Sequence, residues 1–204
     1  MICWNRFFPV LLLAMLCACS DSKQVDKAQP PAKPPEILTG RQAFQRMYPQ
    51  ARGWAADAQP VLLRSINLSQ VQPGPGQAGA WEATFVSTSK ASSRIYTFSS
   101  IEAEGNLHEG VFAGPIESYS GRGSGVPFLI AALRTDSDDA YAVAAQRSQD
   151  YIKKHPGMPI SYVLEQTNRF PQLAWRVIWG ASASTSDYSV FVDATMGTFI
   201  EKAH

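Results

Sequence analysis

Apolar and polar residues alternate in two parts of this chain, and each alternating part follows a segment with helical periodicity. In the C-terminal part, Trp175, Val177 and Trp179 alternate with Arg176 and Ile178, which predicts a strand. The runs 188–193 and 199–200 follow it and predict two further strands. The other segments with strand-like composition are 61–68, 81–87, 94–101, 107–112, 128–133 and 160–166.

Two helices are predicted ahead of these strands. Thr39 followed by Gln42 matches a capping box, and helical composition continues to just before Pro60, with Pro49 as a kink or break. Asp136 is the second predicted N-cap, and that helix runs to about Lys154. The order of elements is therefore helix, strand, loop, hairpin and short strand, twice.

The two halves also share residues at corresponding places. Ala80-Trp81 matches Ala174-Trp175, Tyr96 matches Tyr188, Gly105 matches Gly197, and Glu109 matches Glu201. We therefore predict an α+β fold of two repeated units, each a helix packed on a small antiparallel sheet of three to four strands. The units span 39–113 and 136–204, with a connector at 114–135. We expect the two sheets to pack on each other or to join through the connector.

The N-terminus has the features of a secretion signal. Arg6 precedes an apolar run of about ten residues, which is too short to span a bilayer. The run ends in Leu16-Cys17-Ala18-Cys19, which resembles the bacterial lipobox and predicts a lipoprotein signal at 1–18 and acylation of Cys19. An ordinary cleaved signal peptide is the alternative. Ser20 at the next position favours the outer membrane, facing the periplasm.

Residues 19–38 form a polar, proline-rich segment that is predicted to be a tether. Four prolines favour extended polyproline II conformation, with a reach of roughly 50 Å at about 3.1 Å per residue. The tether would separate a membrane anchor at Cys19 from the folded part. The membrane, through this anchor, is therefore the first predicted partner.

Charge and composition make several classes of function improbable. The chain has 18 Lys and Arg against 17 Asp and Glu, without the basic cluster that nucleic-acid binding needs. Its three cysteines all lie within the first nineteen residues, so no cysteine-based metal site is expected in the folded part. The histidines, His108, His155 and His204, lack metal-ligand spacing. We expect neither a metal nor a cofactor.

Candidate catalytic motifs are weak. The run Gly121–Gly125 lacks the lysine and the spacing of a P-loop, and the residues around Ser124 do not form a nucleophile elbow. A triad assembled from distant residues stays open because its members need not be adjacent in sequence. The stripe Trp175, Val177 and Trp179 has two interpretations, either core that covers the helix at 137–154 or an exposed partner-binding patch. The candidate partner-binding residues are Trp81, Trp175 and Trp179.

The second half resembles the PepSY and PepSY-like domains of bacterial envelope proteins. The resemblance rests on the helix start DSDDAYAVAAQ and on the turn Val192–Gly197 in the last part of the sheet. It implies a non-enzymatic module, since members are proposed to regulate or inhibit peptidases or to act as envelope sensors. The expected function is thus a membrane-anchored periplasmic lipoprotein that binds an envelope protein or peptidase. A carrier of small apolar ligands is the alternative, and a hydrolase is a third.

Overall fold

Ten β-strands and three α-helices make up the part of the chain that the computed structural model describes, residues 34–121, 125–186 and 188–203. Cys19, the predicted signal at 1–18 and most of the tether lie outside the described residues. The strands are β1 (Leu38–Thr39), β2 (Gln59–Ile66), β3 (Gln77–Ala78), β4 (Ala80–Ser87), β5 (Ser92–Ser99), β6 (Gly110–Ser118), β7 (Ile160–Thr167), β8 (Phe170–Trp179), β9 (Ser189–Asp193) and β10 (Phe199–Ala203). The helices are α1 (Gly40–Trp54), α2 (Ser137–Arg147) and α3 (Gln149–Lys154).

Eight strands form one antiparallel sheet in the order β10-β9-β8-β7-β2-β4-β5-β6, and β1 pairs with β3 separately. The predicted fold class, two repeated helix-on-sheet units with a small sheet each, is therefore wrong. The error has a physical cause. β2 and β7 pair with each other, so the backbone edges that two separate sheets would leave unpaired satisfy one another.

Three predicted elements differ from the structure. β6 continues to Ser118, well into the segment predicted as a connector, because a register shift in the β5–β6 pair accommodates Pro115 in an edge strand. The predicted strand 128–133 is a short 3-10 helix at Ile130–Ala132 instead. The helix predicted from 136 to 154 is interrupted at Ser148, whose hydroxyl accepts a hydrogen bond from Tyr188.

The helices cover one face of the sheet. Phe44 and Met47 of α1 and Ala140 and Ala144 of α2 are buried in the main hydrophobic core, together with alternate residues of the sheet. Each helix therefore packs its apolar side on the sheet, as amphipathic helices do. The face on the other side of the sheet carries the remaining alternate residues, among them Arg64, which is exposed.

Helices α1 and α2 begin next to each other. The Asp136 carboxylate accepts hydrogen bonds from Thr39 Oγ1 at 2.6 Å and from the Arg41 backbone N–H at 2.8 Å. Ser137 Oγ accepts from the Gly40 backbone N–H at 2.7 Å. One carboxylate thus lies near the positive N-terminal ends of two helices, which stabilises both ends and joins the two halves of the molecule.

Candidate functional site

The contact between β2 and β7 is a seam in the middle of the sheet. Its backbone ladder covers only three residues on each strand, Leu62–Arg64 paired with Val163–Glu165. By comparison, β2 pairs with β4 along most of its length, from Gln59 to Ile66. The two strands therefore part on both sides of a short central ladder, which leaves two ends that must be completed in another way.

At one end, which we call the closed end, the chain segment 125–128 bridges the two strands. Val126 forms an isolated antiparallel bridge with Gln166 of β7. The Phe128 backbone N–H donates to the Pro60 carbonyl of β2 at 3.0 Å. The Phe128 side chain is buried in the core. At this end, main-chain groups of the segment 125–128 form the backbone contacts that β2 and β7 do not form with each other.

At the opposite end, the open end, side chains replace the ladder. The Tyr162 backbone N–H donates to Ser65 Oγ at 2.9 Å, and Asn67 Nδ2 donates to Ser161 Oγ at 3.0 Å. Ser161 Oγ in turn donates to the Gly180 carbonyl at 2.8 Å. The strands are therefore linked across the open end by hydroxyl and carboxamide groups and not by a third backbone segment.

Two cavities meet at the open end. The loop groove, about 870 Å³, lies on the helix side between the loop 67–77 and the turn 157–160, with Tyr141 in its wall. The face bowl, about 600 Å³, lies on the uncovered side above Arg64 and Glu82. Asn67 and Tyr162 line both cavities. Both cavities lie where β2 and β7 part.

The loop 67–77, which forms one wall of the groove, is held by hydrogen bonds at Gly76. The Gly76 backbone N–H donates to the Tyr162 hydroxyl at 2.8 Å, and the Gly76 carbonyl accepts from Ser137 Oγ. Gly76 has a φ of +73°, and a Cβ atom there would lie 2.1 Å from Asp138 Cα. Only glycine fits this close approach. Burial raises the pKa of Tyr162 well above its ordinary range, so the phenol stays neutral.

The two cavities differ in charge. None of the described residues that line the loop groove is charged, and its walls carry both apolar residues such as Leu68 and Met158 and carboxamides such as Gln72. The face bowl instead contains the Arg64–Glu82 ion pair at 2.8 Å. Thr97, the cross-strand neighbour of Glu82, also lines the bowl, and its buried hydroxyl oxygen has no hydrogen-bond partner among the described residues. The groove thus suits uncharged groups, whereas the bowl offers two charges and a hydroxyl to a polar group.

The three tryptophans predicted as a possible partner-binding patch are buried in the core. Trp81 and Trp175 are 0% exposed and pack edge to face with ring centroids 6.3 Å apart, and Trp179 is 2% exposed. The indole N–H groups of Trp81 and Trp175 are also satisfied internally, by the Leu38 carbonyl and the Thr135 carbonyl respectively. The core interpretation of the stripe is confirmed, and these residues do not form a binding surface.

The turn used as a family marker is a structural feature. The Asp193 carboxylate accepts from the backbone N–H groups of Thr195 and Met196, and Gly197 has a φ of +67°. The carboxylate and the glycine thus both serve the geometry of the turn. Sequence reasoning missed the open end altogether, because Ser65, Asn67 and Ser161 belong to no motif.

No protein-family model, curated protein or solved structure matched the chain. The resemblance to PepSY-like domains therefore stays a prediction. In the described part of the chain, no helix has the length and apolar character needed to cross a membrane. The same residues contain no group of three or more His, Cys, Asp or Glu side chains placed to hold a metal ion.

Proposed function

We propose that this chain is a lipid-anchored, non-enzymatic binding or regulatory module of the bacterial cell envelope, and that its ligand binds at the open end of the seam. The observation that supports the proposal is that an uncharged cavity and a charged cavity lie together where the two halves of the sheet part, with Asn67 and Tyr162 in the lining of both. Ligand sites commonly combine an apolar wall with a few polar groups on a rigid scaffold. The pinned Gly76 loop provides such a wall.

The anchor belongs to the same proposal. Acylation of Cys19 would hold the module at the outer membrane, and the tether would allow the open end to reach roughly 50 Å into the periplasm. The proposed partner is an envelope protein or a peptidase. Tethering raises the effective concentration of the module near membrane-associated partners, which favours weak and reversible binding.

A carrier of a small apolar ligand is the second candidate, and the uncharged loop groove favours it. Such a ligand would lie in this groove and not between the sheet and the helices, because Trp81, Trp175 and Phe44 fill that space. Both candidates use the same site, so one experiment addresses them together and identifies the class of ligand.

The test is site-specific photocrosslinking in intact cells of the source bacterium. A photoreactive residue replaces Met158, which is 37% exposed and lines the groove, or Met196, which is 69% exposed and lies outside both cavities. We expect a discrete adduct at position 158 and none at position 196. Equal adducts at both positions, or none at position 158, would count against a site at the open end.

A separate experiment tests the anchor. Metabolic labelling with an alkyne analogue of palmitate should mark the wild-type chain and the Cys17→Ser variant, whereas Cys19→Ser should lose the label and leave the membrane fraction. Retention of the label in Cys19→Ser would contradict the lipobox assignment. Absence of the label from both the wild-type chain and Cys17→Ser would favour an ordinary cleaved signal peptide.

A further inference from the structure

We infer that the open end of the seam binds an extended polypeptide segment of a partner protein, with alternate side chains in the loop groove and in the face bowl. This inference rests on the proposed site and deepens it by naming the class of ligand. The argument comes from the closed end of the same seam, where the molecule already holds an extended segment of its own chain.

The closed end shows how such a segment is held. Main-chain groups at Val126 and Phe128 contact β7 and β2 respectively, so one short stretch bridges both strands. Its buried anchor is a single side chain, Phe128. Few residues are therefore sufficient to complete one end of the seam when the backbone supplies the hydrogen bonds.

The open end presents an equivalent opening. On their outer sides the strands are already paired, Ile66 with Ala80 of β4 and Ile160 with Trp179 of β8, so only their inner edges face the seam. The bridges across it come from the hydroxyl of Ser65 and the carboxamide of Asn67. Peptide groups offer the same donors and acceptors, so an entering backbone can replace these side-chain bonds at small net cost.

Polarity then specifies the segment. Side chains of an extended chain point alternately to opposite sides, so one set would enter the loop groove and the other the face bowl. The groove is uncharged and lined by apolar and carboxamide-bearing residues such as Met158 and Gln72, which favours uncharged side chains there. The bowl contains Arg64, Glu82 and the unpartnered Thr97 hydroxyl, which favour polar or charged side chains. The preferred segment therefore alternates uncharged residues with polar or charged residues over about four positions, or roughly 13 Å.

The test uses a displayed library of random peptides of about twelve residues, panned against the full-length lipidated chain in detergent. We expect enrichment of peptides with the alternating pattern. Their affinity should fall at least about tenfold in Met158→Arg, which places a charge in the groove, and in Thr97→Arg, which fills the bowl. Met196→Arg, a matched change outside the site, should bind like wild type, and thermal melts should show that all three variants fold.

A second measurement tests the backbone contacts. N-methylation of one amide at a time along an enriched peptide should abolish binding at some amides of its central part, whether these are alternate or adjacent. The same change should have little effect at the ends of the peptide. The inference is overturned if no peptide family is enriched, if Met158→Arg and Thr97→Arg bind like wild type, or if N-methylation is tolerated throughout. If crosslinking at position 158 instead captures a lipid or another non-peptide molecule, the proposed site stands and the peptide ligand is wrong.

Discussion

The β2–β7 ladder stops short at both ends of the seam, and different groups complete the two ends. At the closed end, backbone groups of the segment 125–128 bridge the strands, and Phe128 is buried there. At the open end, the Ser65 hydroxyl accepts from the Tyr162 N–H and the Asn67 carboxamide donates to Ser161, and two cavities open beside these bonds. The closed end is therefore filled by a core side chain, whereas the open end retains the unfilled space in which the proposed ligand would bind.

The largest effect is expected from emptying the closed end. Phe128→Ala removes a buried aromatic side chain and should lower the free energy of unfolding by about 3 to 5 kcal/mol. Its neighbour Leu129 is 71% exposed, so Leu129→Ala should change the value by less than about 0.5 kcal/mol. Denaturant titration of both variants checks this, and equal losses would show that the closed end is not a core contact.

The next largest effect is expected at the wall of the open end. Gly76→Ala places a Cβ atom 2.1 Å from Asp138 Cα at a φ of +73° and should cost about 2 to 4 kcal/mol. Gly157 has a similar φ of +75° but open space around it, so Gly157→Ala should cost only about 1 kcal/mol. The difference in free energy of unfolding between the two variants separates the cost of the close approach to Asp138 from the cost of the positive φ, which both variants share. Similar costs would mean that the loop is not pinned at Gly76.

A smaller effect should appear when the open end loses one side-chain bridge. Ser65→Ala removes the acceptor of the Tyr162 N–H and should cost about 1 to 2 kcal/mol. Amide hydrogen exchange should accelerate at Tyr162 but not at Phe128, whose N–H bonds to a backbone carbonyl. Ser69→Ala, in the exposed part of the loop, is the control. Faster exchange at both ends would show that the seam opens as one unit.

The smallest effect concerns Glu165, which pairs with Leu62 at the closed end of the ladder. Burial raises the pKa of this half-buried carboxyl above its ordinary value near 4.5, and the charge of Arg176 partly opposes the shift. Because folding raises the pKa, the stabilising contribution is present below the ordinary pKa and is lost as pH rises through the folded value.

Replacing Glu165 with Gln should therefore remove this pH dependence. Relative to wild type, Glu165→Gln should be more stabilising at about pH 7 than at about pH 4, by less than about 1 kcal/mol after solvent screening. Denaturant titration at the two pH values measures the difference. An unchanged pH profile in the variant would show that the environment of Glu165 is not desolvated.

Local patterns predicted most of the elements. The capping box of Thr39 with Gln42 and the N-cap at Asp136 are both confirmed, because capping depends on residues within one turn of the helix. The alternation at Trp175, Val177 and Trp179 correctly identified the buried side of β8, since side chains of a strand point alternately to its two faces. These features need no information from distant parts of the chain.

The architecture and the candidate site could not be predicted in the same way. Nothing near Leu62 or Val163 in the sequence indicates that their strands pair with each other, and the union of both halves in one sheet follows from that pairing. The open end depends on Ser65, Asn67 and Ser161, which come from two distant strands and are ordinary polar residues individually.

The sequence by itself thus determined the N-caps of α1 and α2 and the buried side of β8, and its lipobox predicts the anchor at Cys19. Only the tertiary structure decided that β2 and β7 meet, that segment 125–128 bridges one end of their seam, and that the other end opens into two cavities. The physical reason is that capping and alternation are short-range interactions, whereas strand partners are chosen by backbone hydrogen bonds between residues far apart in the chain.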